Sequence, residues 1–239
     1  MTESGKRFEK ATGYIASQSA RAKKKPEGRD VLEPAITISR QTGAGAVTLA
    51  GGLAEYLNKE TGVKEDAWEV FDKTLTRQVL DDHNLPTRVE RYMTEDSPKP
   101  VKDALGDMLG LHPPNWELVK HTGETIYRLA KKGRCILVGR GANIITRDLT
   151  NVFHLRLIGS LEQRVIRCQD YYGIDQAEAV ELIRKQDRAR RRYLLAYYDI
   201  EIDDPTNYHL VINVDRYTAQ ALVRFVGDMV LKWSVGFDS

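Results

Sequence analysis

The sequence predicts a parallel α/β protein, with five strands in one sheet and helices on both of its faces. Three observations carry this expectation. Short apolar runs alternate along the chain with longer stretches of helical periodicity. One of them, Cys135-Ile-Leu-Val138, is continuously apolar, as strands buried on both faces are. Two of the runs end in glycine turns, Gly43-Ala-Gly45 and Gly139-Arg-Gly141, of the kind that joins a parallel strand to its crossover helix.

A chain of 239 residues can bury one large α/β core or two small ones. The formal net charge of +2 is close to balance, which argues against an obligate binder of polyanions while leaving room for local basic clusters. Cys135 and Cys168 are far apart and form no Cys-x-x-Cys pair, so neither a disulfide framework nor a zinc knuckle is expected. No apolar run approaches the roughly 20 residues of a membrane helix, and no apolar leader is apparent, so the expected location is cytoplasmic.

Residues 1–34 are polar and basic, ending in a lysine-rich stretch, and read as a flexible arm ahead of a domain spanning 35–239. The first strand, with Ile36 and Ile38 on one side, runs into Gly43-Ala-Gly45. A helix then begins near Thr48 and continues through Leu49, Leu53 and Leu57. Trp68-Glu-Val-Phe71 reads as a second strand ending at Asp72, followed by a helix over 73–82. Five prolines break 85–115 into short pieces, as an insertion or acceptor-side flap would be broken. A helix over 116–132 stops at Gly133 ahead of the Cys135 strand, and 152–158 is the fourth strand. A helix over 161–172 stops at Gly173, and Asp175 with Glu178 makes a capping box for the next. The last strand closes at Asn213, and 218–233 is the last helix.

The strand, glycine turn and helix at Gly43 to Thr48 suit a phosphate, because small residues let backbone N–H groups converge at a helix N-terminus. Against the P-loop pattern Gly-x-x-x-x-Gly-Lys-Ser/Thr, Arg40 stands at the first glycine and Ala46 at the lysine. On these residues alone a plain structural turn is the equal alternative. Asp72 at a strand's C-terminal end suits either a ligand edge or a helix N-cap. Arg140, between two glycines, could meet a phosphate bidentately or lie in solvent. The helix after Asp175 carries Arg184, Asp187, Arg188, Arg190, Arg191 and Arg192, and Arg184, Arg188 and Arg191 share a narrow stripe. Such a stripe is either a solvated face or, beside glycine-lined strand ends, a cationic clamp for phosphates. The five histidines show no metal-ligand spacing.

Taken in order, Ile-Thr-Ile-Ser-Arg-Gln-x-Gly-Ala-Gly, Phe71-Asp-Lys73, Val138-Gly-Arg-Gly-Ala142 and Asp204-Pro-x-x-Tyr-His-Leu-Val-Ile-Asn213 resemble the cytidylate kinase-like family, a branch of the P-loop nucleoside monophosphate kinases. The resemblance implies a five-stranded parallel core with a mobile helical lid, here 173–207. It further implies Mg²⁺-dependent transfer of the γ-phosphate of ATP to a nucleoside monophosphate or similar small acceptor. On that reading Gly43, Ala44, Gly45, Ala46, Val47 and Thr48 cradle phosphate, and Thr48 touches phosphate or the metal shell. Arg40, Arg188 and Arg191 are the catalytic cations. Asp72, Arg140, Arg184 and Asp187 serve the acceptor. Two departures stand out. Ala46 removes the lysine that would follow the transferred group, with Arg40 the nearest replacement in sequence, and Gly141 replaces the acid of the related Gly-Arg-Asp motif.

The alternative expectations are a kinase-derived module that binds a nucleotide or other small phosphorylated ligand without turning it over, and an RNA-associated protein using the basic arm and the arginine helix. The balanced charge counts against nucleic acid, a membrane partner is not expected, and a homo-oligomer stays open.

Overall fold

A computed structural model describes residues 32–62, 67–72 and 114–235. Along the chain these form β1 (Ala35–Arg40), α1 (Ala46–Thr61), β2 (Glu69–Phe71), α2 (Pro114–Lys132), β3 (Cys135–Val138), α3 (Ala142–Ile145), β4 (Val152–Ile158), α4 (Leu161–Tyr172), α5 (Gln176–Tyr198), β5 (Leu210–Asn213) and α6 (Ala219–Val235). The expected helix over 73–82 lies outside the described residues, as do the arm up to residue 31 and the expected insertion over 85–115 except Pro114 and Asn115, which belong to α2.

All five expected strands are present and all pair in parallel, in the order β2-β3-β1-β4-β5. The chain leaves β1 first to one side and later to the other. Crevices at such a reversal open beyond the C-terminal ends of the strands. Here those ends carry Asp72, Arg140, Arg40 and Gly159 in spatial order. The expected helix at Thr48 begins earlier, at Ala46, because Gly45 takes the left-handed conformation that turns the chain into it. The Asp175–Glu178 capping box forms in full and starts α5, and Gly173 ends α4 in the left-handed region. Glu33 and Pro34, the last residues of the expected arm, are tied to the sheet's N-terminal edge. Arg134 pairs with Glu33 at 3.1 Å, its amide donates to the Pro34 carbonyl at 2.6 Å, and Asn151 Nδ2 donates to the Glu33 carbonyl at 2.7 Å.

Strand alternation sorts the sheet's two faces. Ile36 and Ile38, with Phe153, Leu155 and Leu157, face α1 and α6 and join Leu49, Leu53, Leu57, Val226 and Val230 in the main core. On the opposite face Ala35, Leu137 and Val152 pack with Ile126 and Leu129 of α2. Toward the C-terminal edge that second face turns polar. Thr37, Ser39, His154 and Arg156 are all buried, and the register sets Thr37 beside His154 and Ser39 beside Arg156. Buried polar groups must be paired, and these are. Thr37 Oγ1 and His154 Nδ1 share a hydrogen bond of 2.8 Å, and Arg156 Nη1 donates to Ser39 Oγ at 2.9 Å.

The histidines on this face make the fold sensitive to acid. Burial, then the neighbouring His209, lowers the His154 pKa from 6.5 to about 4. His209, whose Nδ1 accepts from the His154 amide at 2.9 Å, is lowered by burial as well. The native state therefore resists protons that the unfolded chain accepts. Stability is intact above the ordinary histidine pKa, falls as pH drops below about 6.5, and stops falling on this account near pH 4. Urea unfolding should show a loss of about 2 kcal/mol between about pH 7.5 and pH 5. His154→Gln, which retains a partner for Thr37, should flatten that slope. Asp203 and Asp215, both held below the ordinary carboxylate range, add their losses only at lower pH.

Candidate functional site

The β1–α1 turn begins where β1 ends at Arg40. The Gln41 amide donates to the Leu157 carbonyl at 2.9 Å, and Gln41 Oε1 accepts from the Gly159 amide at 3.0 Å, so the turn is tied to the end of β4. Gly43 sits at φ 78°, and a Cβ there would lie 2.5 Å from the Arg164 carbonyl oxygen. Only glycine lets the loop rest this closely on α4. Gly45 is left-handed too, but its missing Cβ faces open space. No side chain caps α1 at that end. The first-turn amides of a helix have no intrahelical partner, and here they sit beside small residues. Ala44 and Ala46 are buried, whereas Gly45, Val47 and Thr48 are exposed.

One carboxylate holds the loop from the other side. Asp187 Oδ1 accepts from the Thr42 amide at 2.7 Å and from the Thr42 hydroxyl at 2.8 Å, while Oδ2 accepts from Arg164 Nη1 at 2.7 Å. Arg190 Nη1 donates to Oδ1 at 3.1 Å and also to the Thr42 hydroxyl. Arg164, 7% exposed, donates in addition to the carbonyls of Thr42 and Gly159, both at 3.1 Å. Asp187 thus ties α5, α4 and the glycine loop together.

Next to this knot lies a cleft of about 320 Å³. Arg40, Arg156, Arg188, Arg190 and Arg191 line it, against the carboxylates Asp187 and Asp203. Asp203 bridges two of the arginines: Arg156 Nη2 donates to Oδ1 at 2.6 Å, and Arg191 Nη2 donates to Oδ2. Burial pushes the Asp203 pKa up, but the hydrogen bonds and charges of Arg191 and Arg156 outweigh it and hold the carboxyl below its ordinary range. The same hydrogen bond raises Arg191. At the start of α4, Asp215 accepts from the Ser160 amide at 2.6 Å and from Arg167 at 2.8 Å, fixing the β4–α4 turn.

Of the residues singled out in the sequence, Arg40, Asp187, Arg188 and Arg191 come together at this cleft. Residues 43–48 adjoin it through Gln41 and Thr42 but are not in its lining. Arg184 is exposed on α5 and outside the lining. Asp72 and Arg140 sit at the ends of β2 and β3, on the other side of β1. Arg140 is 7% exposed with φ 58°, in a turn where Gly139 and Gly141 also have positive φ. Sequence reasoning missed Arg156, Arg164, Arg190, Asp203 and Thr42 as parts of the site. Arg156 had a visible signal, a charged residue at an inward position of an otherwise apolar strand.

A model of the cytidylate kinase-like family matches residues 35–216. The chain belongs to that family. Among curated proteins, the cytidylate kinase of Pyrococcus horikoshii is 23% identical over 191 residues, 80% of this chain and 85% of that protein. The cytidylate kinase of Sulfurisphaera tokodaii is 26% identical over 113 residues, 47% of this chain and 62% of that protein. A uronate isomerase of Corynebacterium glutamicum is 29% identical over 91 residues, 38% of this chain but only 18% of that protein. Among solved structures, an uncharacterized protein from Eubacterium ventriosum shares the fold with a TM-score of 0.59 at 22% identity, covering 85% of this chain and 99% of that one. Membership and the five-stranded parallel sheet together give this cytidylate kinase-like chain a kinase-type P-loop fold. No helix among its described residues is long and apolar enough to cross a membrane.

The Asp187 knot yields a stability test. Asp187→Ala strands the buried Arg164 guanidinium and the Thr42 amide, and should cost about 2–3 kcal/mol in chemical denaturation. Asp187→Asn, which can still accept from Thr42, should cost less. Arg184→Ala, on the exposed stripe, should stay within about 0.5 kcal/mol of the parent.

Proposed function

We propose that this chain is a phosphotransferase that moves the γ-phosphate of ATP to a nucleoside monophosphate or similar small acceptor. The observation that carries the reading is the meeting of a glycine loop at an uncapped helix start with a cleft holding five arginines. Phosphoryl transfer asks for positioning and charge neutralisation rather than covalent chemistry from the protein. In this reading residues 43–48 offer backbone N–H groups to the donor phosphates. Arg40, Arg188 and Arg191 surround the transferred group, in place of the lysine that Ala46 lacks. Asp72, Arg140 and Arg184 serve the acceptor, and Asp187 combines that service with holding the loop.

The residues present fit a polyphosphate with its divalent cation. The space over Gly45 is open, and no Cβ narrows it. The exposed Thr48 hydroxyl on the first turn of α1 would help hold the ion beside phosphate oxygens. Mg²⁺ held there would supply neutralisation of the phosphate charge.

A second reading, a module that binds nucleotide without turnover, is favoured by Ala46 itself. That residue is 6% exposed and packed in the main core beside Ile38 and Leu49, so no side chain at its position reaches out of the core toward a phosphate. A coupled assay of ADP release against a panel of nucleoside monophosphates separates the two. Turnover is expected with at least one acceptor, and Arg40→Ala and Arg188→Ala should each lower kcat about 10²–10³-fold with the fold intact. Measured ATP binding with no turnover on any acceptor would overturn the catalytic reading and leave the binding module.

A further inference from the structure

The bridge at Asp203 has a geometry that a ligand could share. Arg156 is 3% exposed and fixed on three sides: Nη1 on Ser39 Oγ at 2.9 Å, Nη2 on Asp203 Oδ1 at 2.6 Å, and its guanidinium carbon 5.6 Å from the centroid of the Tyr208 ring. The Tyr208 hydroxyl donates to the Ile202 carbonyl at 2.8 Å, which holds the ring under the arginine. The second oxygen of Asp203 takes Arg191 from α5. One carboxylate therefore joins a guanidinium of the sheet to a guanidinium of the helix, one oxygen to each. The two ends differ in burial. The Arg156 side chain is 4% exposed and the Arg191 side chain 56%. An exposed ion pair is weak because water competes for both partners, whereas a buried one is costly to break.

Guanidinium groups meet phosphoryl oxygens with the same forked donors they use on carboxylates. Resting on the phosphate-handling reading above, we propose that Asp203 is an internal stand-in for a phosphoryl group. It holds Arg156 and Arg191 in ligand-ready positions, and the terminal phosphate of an entering polyphosphate takes Arg191 from it while Arg156 keeps it. Asp203 is then a positioning residue, and Arg191 the arginine that changes partners. The exchange swaps one exposed ion pair for another, so it needs only a side-chain movement. Asp203 stays anionic throughout because Arg156 remains bound to it, which also keeps the buried guanidinium from being stranded.

Calorimetry with inorganic triphosphate on the full chain tests this, using Asp203→Asn, Arg191→Ala and the double variant. Asp204→Asn removes the same charge one residue away, where the side chain only closes a local turn with Thr206. Asp203→Asn should bind triphosphate on the order of tenfold tighter and Arg191→Ala on the order of tenfold weaker. In the Arg191→Ala background the Asp203→Asn gain should shrink to less than about twofold, and Asp204→Asn should bind as the parent does. A gain that persists without Arg191, or that Asp204→Asn reproduces, is a bulk charge effect and overturns the proposal. If Asp203→Asn fails to fold, Arg191→Ala decides alone. It must lose triphosphate affinity without lowering Tm, and parental affinity overturns the proposal. Coupled binding without phosphotransfer would overturn the catalytic reading and support this inference. Binding without coupling would overturn this inference alone, and no triphosphate binding by the parent would overturn both.

Discussion

The carboxylate of Asp187 is the contact on which the arrangement around the glycine loop depends. A loop of small residues has almost no side chain with which to fix itself, and α1 begins without a side-chain cap. Something outside the loop must hold it in one conformation. Asp187 does so from 145 residues away in sequence, by accepting both the amide and the hydroxyl of Thr42. Its other oxygen answers Arg164, whose backbone forms the floor under Gly43. Because Arg164 is buried, its charge requires this partner, and because Gly43 has no side chain, α4 can come close enough for the pair to form. Loop, α4 and α5 thus fix one another's positions. A single aspartate is structurally engaged while it also borders the cleft.

The second constraint is the polarity of one face of the central strands. An arginine in the middle of a parallel sheet would ordinarily be expensive, since both faces are covered. Arg156 is accommodated because the strand register sets Ser39 directly beside it, Asp203 approaches from the connection after α5, and Tyr208 lies under its plane. Positive charge consequently reaches the cleft from β1, β4 and α5 rather than from a lysine of the loop. That is the arrangement a phosphate site needs when the loop itself has alanine where a lysine would stand, and it is what makes the proposed chemistry physically reasonable for this chain.

Much of the fold was legible in the sequence, for local reasons. Apolar runs the length of strands, glycines at the ends of 161–172 and 116–132, and the Asp175–Glu178 pair each report on a few neighbouring residues, and the five strands and the α5 cap were found from them. The start of α1 was placed late because Gly45, rather than a side-chain cap, turns the chain into it. The cleft was only half legible. Arg40, Arg188 and Arg191 could be named because they lie in conspicuous patterns. Arg164 and Asp203 could not, because what makes them part of the site is a partner 23 residues away in one case and 47 in the other. Periodicity placed Arg184 on the same stripe as Arg188 and Arg191, but along α5 the lining of the cleft begins at Asp187, and Arg184 lies outside it.

The second glycine turn shows why a departure from a family pattern can be structural as well as chemical. Gly141 stands where the related kinases have an acid. It sits at φ 66°, and a Cβ there would fall 2.9 Å from Tyr198 and 3.1 Å from Leu194. Both belong to the C-terminal end of α5, where Leu194 and Tyr193 pack with Ile144 and Ile202, and Tyr198 lies against them. The space an acidic side chain would need is therefore occupied by the helix that carries the cleft arginines. An aspartate at this turn would set its Cβ against the Tyr198 ring and the Leu194 methyl, and those side chains would have to give way. On that side the wall beside Gly141 is made by the Tyr198 ring and the Leu194 methyl rather than by an acid, and what holds it there is the packing of α5 on Ile144 and Ile202.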